Sequence, residues 1–182
     1  EEGEACAQVL HPTSQEKIVF YLQNVPFGIQ KMSGTISGLV ETSSNIGILR
    51  LDEDELFASS SVRSSVDAAC GALSDKIEYL TEFLGGEYEV QGAYPAWEYR
   101  KESPLRDKMV EIFEEMYGHK PAVVAIHAGL ECGLFYKKME GLDCVSLGPD
   151  MKDIHTSEEV LSIASTERVW KYLLRVLENL KD

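Results

Sequence analysis

The stretch Gln91-Gly92-Ala93-Tyr94-Pro95-Ala96-Trp97 divides this 182-residue chain into two parts of different hydrophobic patterning, and that division constrains the fold more than any other feature. Glycine, proline and aromatic residues follow one another there with neither period two nor period 3.6, as in a hinge or linker. Two regions are expected, residues 1–92 and residues 93–182.

The first region reads as α+β. Thr13 or Ser14 can cap a short helix carrying Ile18, Val19, Tyr21 and Leu22, which Pro26 ends. Extended chain is expected from Gly34 to Val40 and on through Ile46, Ile48, Leu49 and Leu51. The acidic turn Asp52-Glu53-Asp54 then leads to Leu56, Ala58, Ser60 and Val62 at strict period two, so two antiparallel strands joined at that turn are predicted. Ser64 or Ser65 caps an amphipathic helix whose single stripe runs Val66, Ala69, Cys70, Leu73, Ile77, Leu80 and Leu84, and Gly85-Gly86 stops it. Cys70 belongs to that stripe and is read as packing. A last short strand is expected at Tyr88 to Val90.

The second region reads as alternating α/β, which makes the whole chain α/β with an α+β first part. Ser103-Pro104 opens a helix with Leu105, Met109, Ile112, Phe113 and Met116 inward, closed by Gly118. Ala122 to Ile126 is a continuous apolar run, expected to be a strand covered on both faces, and Val145 to Leu147 is expected to be another. Thr166 to Leu180 closes the chain as a helix with Val169, Trp170, Leu173, Val176, Leu177 and Leu180 on its apolar side.

Composition excludes several functions. The formal charge is −14, and five basic against fifteen acidic side chains up to Gly92 place a net −10 in the first region. Such a surface repels phosphate and gains nothing from counterion release, so neither nucleic acid nor an anionic membrane is an expected partner. No apolar run approaches the length of a membrane span. Cysteines at 6, 70, 132 and 144 show no Cys-x-x-Cys spacing, and a chain of this size builds a core without staples, so reduced thiols and a cytoplasmic setting are expected. The start, Glu-Glu-Gly-Glu-Ala-Cys, has no initiator Met and no signal pattern, and reads as the interior of a longer chain.

Chemistry-bearing residues collect late in the chain. His155 lies in a polar loop between Asp150 and Asp153 on one side and Glu158 and Glu159 on the other, so it is either a metal ligand or a solvated loop histidine. His127 ends the apolar run and Glu131 begins the next helix, with Gly129 between them. The pair either converges on a strand-to-helix crevice or is a loop histidine followed by a dipole-favoured carboxylate. The spacing is not His-Glu-x-x-His, which disfavours a metallopeptidase of that type. Cys132 beside Glu131 could suggest a thiol nucleophile, but no basic residue accompanies it, and an unreactive cysteine fits better. Arg63, at the end of the alternating strand, could offer its planar fork to a ligand carboxylate, and Asn45 could offer an amide. From the residues alone Arg63 reads first as an exposed strand-end residue and Asn45 as a turn residue, with ligand binding second.

Four segments together carry a resemblance: His127-Ala-Gly-Leu-Glu-Cys-Gly-Leu-Phe135, Ser146-Leu-Gly-Pro-Asp150 with His155-Thr-Ser-Glu-Glu, Gly92-Ala-Tyr-Pro-Ala-Trp97, and Val40-Glu-Thr-Ser-Ser-Asn-Ile-Gly47. From about Thr13 onward the chain resembles the C-terminal part of the cytosolic aminoacyl-histidine dipeptidases, dinuclear zinc exopeptidases of class M20. The resemblance implies a lid inserted into a zinc-binding catalytic domain, with residues 1–92 in the later half of the lid and 93–182 in the last catalytic segment. It implies that His155 is a metal ligand, that Arg63 and Asn45 meet the terminal carboxylate of a dipeptide, and that His127 and Glu131 face the substrate. The zinc could be replaced by manganese or cobalt. It also implies that the other zinc ligands, the catalytic aspartate and the general-base glutamate lie upstream, so this chain alone is expected to be inactive, with that upstream part and a second copy as partners. The alternative is a self-standing lid, dimerisation or binding module.

Overall fold

The computed structural model describes residues 9–125 and 130–180. These fall into two compact groups, one running up to Glu98 and the other starting at Tyr99.

The first group holds helix α1 (Pro12–Asn24), strands β1 (Gly28–Met32), β2 (Val40–Leu51) and β3 (Leu56–Ser64), and helix α2 (Asp67–Phe83). Pro12 stands in the first turn of α1, and the Nδ1 of His11, rather than Thr13 or Ser14, caps it by accepting from the Thr13 N–H at 3.3 Å. The helix ends at Val25, held extended by the proline that follows.

The strands form an antiparallel sheet in the order β1-β2-β3. β2 and β3 are the two strands expected from the period-two pattern, and the turn between them is closed by an Asp52 N–H to Glu55 C=O bond of 2.9 Å. Arg50 clamps the same turn through Asp52 at 2.6 Å and Glu55 at 3.3 Å. Two expectations fail here. Gly34 to Leu39 is a turn rather than strand, because Ser33 Oγ accepts the N–H groups of Thr35 and Ile36 and so folds the backbone back on itself. The strand that pairs with β2 is instead β1, whose Gly28-Ile-Gln-Lys-Met sequence has no clear alternation. Tyr88 to Val90 is likewise not a strand; no ladder partner reaches it, and Tyr88 is tied to α2 by a 2.7 Å hydroxyl contact with Ser74.

The α2 stripe buries Leu73 and Ile77, and Cys70 is half-buried beneath it, where loss of solvent pushes its thiol up. Helix α2 ends as the double glycine predicts. Gly85 adopts φ +83°, its N–H reaches the Glu82 carbonyl at 2.8 Å, and the Gly86 N–H reaches that of Thr81 at 2.9 Å.

The second group contains α3 (Pro104–Tyr117), α4 (Glu131–Lys138), the two-residue strands β4 (Met151–Lys152) and β5 (Val160–Leu161), and α5 (Ile163–Asn179). Its core is a pairing of α3 with α5 through Met109, Ile112, Tyr172 and Val176, flanked by Leu105, Phe113, Met116, Tyr117 and Val145. The Tyr172 hydroxyl donates to the Met109 carbonyl at 2.7 Å, so the polar end of this buried side chain is satisfied. Ser103 caps α3 by accepting from the Arg106 N–H, and Gly118 closes it at φ +75°.

The expected strands of this region do not form among the described residues. Ala122 to Ala125 and Val145 to Leu147 have no ladder partner, and Val123 and Val124 are 50% and 76% exposed rather than covered on both faces. The alternation predicted for residues 93–182 therefore yields helices around unpaired chain, with the short β4–β5 hairpin as the only ladder described there. Ile126 lies outside the described residues.

Candidate functional site

Candidate residues sit on three local platforms. The first is the β2–β3 ladder. Register pairs Ser43 with Arg63, Ser44 with Val62 and Asn45 with Ser61, so Thr42 and Ser44 share one face with Val62 and Ser64 while Asn45 and Arg63 share the other. The first face is covered: Thr42 and Ser44 are buried, and Thr42 Oγ1 meets Ser64 Oγ at 2.9 Å. The second face is open, and both Asn45 and Arg63 are exposed on it. The two are diagonal cross-strand neighbours, a relation that brings Cβ atoms within about 7–8 Å. A ligand carboxylate lying on this face could meet the Arg63 fork and the Asn45 amide together. A bulge between Ile46 and Ile48, at Gly47, ends this register just beyond Asn45.

The second platform is the loop between β4 and β5. Met151 pairs with Leu161 and Lys152 with Val160, leaving Asp153 to Glu159 as the connecting loop with His155 near its centre. Asp153 and His155 are the two non-glycine residues with positive φ among those described, at 52° and 67°. The loop is held by its own groups: Glu159 Oε2 accepts the His155 N–H at 2.9 Å, and Thr156 Oγ1 donates to the Asp153 carbonyl at 2.7 Å. Its base is anchored to α5, where Ser165 Oγ accepts the Asp150 N–H at 2.8 Å and Arg168 meets the Asp150 carboxylate at 3.1 Å. These anchors from α5 were not foreseen; the Pro149-Asp150 turn and the small Ser165 on an apolar helix are the only sequence hints. The imidazole of His155 is presented in water on a defined backbone.

The third platform is the start of α4, where Glu131 is exposed in the first turn. A carboxylate there is favoured by the helix dipole whatever else it does. Cys132 is half-buried on the same turn and its carbonyl faces the Cys144 thiol at 3.9 Å. Burial pushes the Cys144 thiol up, the reverse of what a nucleophile needs. His127 lies outside the described residues.

Zinc is the metal this donor set would suit, through the His155 imidazole. A catalytic zinc takes about three protein ligands, and among the described residues no group of three or more His, Cys, Asp or Glu side chains is gathered to hold one. The described residues therefore supply one candidate ligand and not a complete site.

The fold matches part of solved peptidase structures. The crystal structure of aminopeptidase PepT from Bacillus cereus superposes on 91% of the chain with a TM-score of 0.65 at 16% identity, covering 44% of that protein, a likeness of fold alone. The particular kinship is nearer. The crystal structure of aminoacylhistidine dipeptidase from Vibrio alginolyticus matches the whole chain with a TM-score of 0.85 and 32% identity, and the cytosol non-specific dipeptidase of Escherichia coli is 30% identical over 167 residues, 92% of the chain. The chain is homologous to a segment of these dipeptidases. It spans 37% and 34% of their respective lengths. No protein-family model matches it.

Proposed function

We propose that this chain is the lid-plus-C-terminal portion of a metal-dependent dipeptidase acting on short peptides, aminoacyl-histidine dipeptides among them. The observation that carries the reading is the match to aminoacylhistidine dipeptidase along the entire chain, at a TM-score of 0.85 and 32% identity. Residues 1–92 then belong to the lid and 93–182 to the catalytic domain. Arg63 and Asn45, on one open face, hold the substrate's terminal carboxylate and so limit the enzyme to short chains. Glu131 and His127 meet the substrate near its free amine. His155 contributes one imidazole to the metal site, whose other ligands and catalytic carboxylates come from polypeptide outside this sequence. A bound zinc, or manganese or cobalt in its place, supplies Lewis acidity and an activated water. The setting is the cytosol, as the name of the Escherichia coli relative indicates for that protein.

The test is a graft. This chain replaces the matching segment of the Escherichia coli dipeptidase, and hydrolysis of an aminoacyl-histidine dipeptide is measured with zinc supplied. The graft is expected to hydrolyse the dipeptide, the chain alone to be inactive, and His155→Ala in the graft to lower both activity and bound zinc by at least about tenfold. A folded graft without hydrolysis, or hydrolysis by the chain alone, overturns the reading.

A second reading is favoured by one observation. The outer half of the β2–β3 hairpin exposes Ile48, Leu49, Leu51 and Phe57, each at least 42% accessible, beside a β3 edge that no described residue pairs. Such a surface suits a homodimer or a separate binding module. Sedimentation of the chain would give a dimer that Leu49→Glu dissociates; a monomer at all concentrations removes this reading.

A further inference from the structure

Cys132 and Cys144 meet in the second group. The Cys144 thiol is directed at the Cys132 carbonyl, 3.9 Å away across twelve residues of chain, and both side chains are half-buried rather than sealed from solvent. The two thiols also act on each other. After burial, the strongest cause that pushes the Cys144 thiol up is the Cys132 thiol, through its charge and a direct hydrogen bond; Asp143 adds to it, and Arg100 works the other way. Charges act on a titrating group over about 4–6 Å, so the sulfurs themselves are near neighbours. Cys70 stands outside this arrangement, on α2 in the first group, where burial and Asp67, and no thiol, push it up.

The two segments are held unequally. Cys144 follows Asp143, whose carboxylate accepts from the Ser103 hydroxyl and the Leu105 N–H at the start of α3, and Arg100 donates to the Gly141 carbonyl at 2.9 Å. Cys132 lies in the first turn of α4, a helix of eight residues whose N-cap Leu130 offers no side-chain bond and whose one buried residue is Gly133. A bond between the sulfurs therefore joins a lightly held turn to a firmly held one, and restrains Glu131 beside Cys132. We propose that Cys132 and Cys144 are a reversible redox site that takes a low-molecular-weight disulfide such as oxidised glutathione and closes to an internal disulfide, whatever the chain hydrolyses. Cys132 gives up its proton, attacks the external disulfide and releases one thiol. Cys144 then gives up its proton and attacks the Cys132 sulfur, forming the internal S–S bond and releasing the second thiol. Two protein thiols are oxidised by two electrons while one external disulfide is reduced to two thiols. Burial slows the second attack by holding Cys144 protonated, and the closeness of the two sulfurs offsets this. In a reducing setting the pair rests as thiols, and a bond of this kind senses oxidation rather than stapling the fold.

The test maps the bond. The folded chain is incubated with oxidised glutathione, alkylated and digested with trypsin, which separates the Cys132 peptide, ending at Lys137, from the Met139–Lys152 peptide that carries Cys144. These two peptides are expected to be recovered joined, and dithiothreitol to part them. The same treatment in urea is expected to give about tenfold less bridge relative to glutathione adducts, because the fold no longer holds the sulfurs together. Cys132→Ser and Cys144→Ser are each expected to keep glutathione on the remaining thiol of the pair. Amides of α4 are expected to exchange about tenfold more slowly in the oxidised wild type than in the reduced, and equally in the two states of either variant. Lasting glutathione on the wild-type pair, a bridge to Cys6, Cys70 or a second copy, thiols that stay free, or an equal yield of bridge in urea overturns the proposal. A mapped bridge that leaves exchange across α4 unchanged overturns the clamp.

Discussion

Asp143 joins the Ser103 hydroxyl, the first turn of α3 and two guanidiniums through one side chain. Its Oδ1 accepts from the Ser103 hydroxyl at 2.7 Å and its Oδ2 from the Leu105 N–H at 2.9 Å, while Ser103 Oγ itself accepts from the Arg106 N–H at 3.1 Å. Burial works against its charge, but these two hydrogen bonds and the Arg100 and Arg106 guanidiniums outweigh it and hold the carboxyl below the usual carboxylate range. Asp143→Ala is expected to cost about 1–2 kcal/mol in chemical denaturation, since it strips a helix N-terminus of charge-assisted bonds. A depressed pKa in the folded state means that the stabilisation is present above the unfolded carboxyl pKa and fades as pH falls through the folded value. The wild-type advantage over Asp143→Ala should therefore shrink on acidification, and a difference that grows toward low pH would refute the assignment. None of this was legible in the sequence, where Asp143 is forty residues from Ser103. Arg63 and Asn45 were legible as candidates, but only strand register could put them on one face.

At the scale of the element, patterns that specify their own geometry are legible in the sequence. The α2 stripe, the period-two strand β3 and the Ser103-Pro104 opening of α3 all appear where local sequence places them. Gly85 is a clear example, with positive φ, a space limited by Lys17 Nζ at 3.4 Å, and a carbonyl to satisfy on either side. Gly85→Ala is expected to destabilise by about 1 kcal/mol, read as a lower midpoint in urea. Elements that depend on a neighbour are not legible in that way. β1 has little alternation and exists because β2 pairs with it, whereas Ala122 to Ala125 and Val145 to Leu147 have strand sequences and no described partner to bond. Apolar periodicity reports which face is to be buried; it cannot report whether the burying surface is present. The closing helix makes the same point, since Trp170, Leu177 and Leu180 were expected inward and are exposed.

Over the whole molecule, the two groups of residues have separate cores. Val25, Leu73 and Ile77 serve the first, and Met109, Ile112, Tyr172 and Val176 the second. Ile112 is 1% exposed, and cutting it to alanine should cost about 2–4 kcal/mol. Because that loss falls on one core, Ile112→Ala is expected to speed amide exchange throughout α3 and α5 while leaving the β2–β3 ladder protected. Loss of protection in both groups at once would show a single cooperative unit instead.

His155 turns by way of a left-handed backbone, φ 67°, which costs a side-chain-bearing residue about 1–2 kcal/mol relative to glycine. The looser unfolded chain that glycine brings takes back roughly 0.5–1 kcal/mol. His155→Gly is therefore expected to leave the melting temperature unchanged or raise it slightly, which calorimetry of the two chains would check. An engineer ranking variants of this protein by heat resistance alone would drift toward discarding the imidazole, and on the proposed reading of His155 as a metal ligand only an assay of bound zinc in the graft would register what had been traded away.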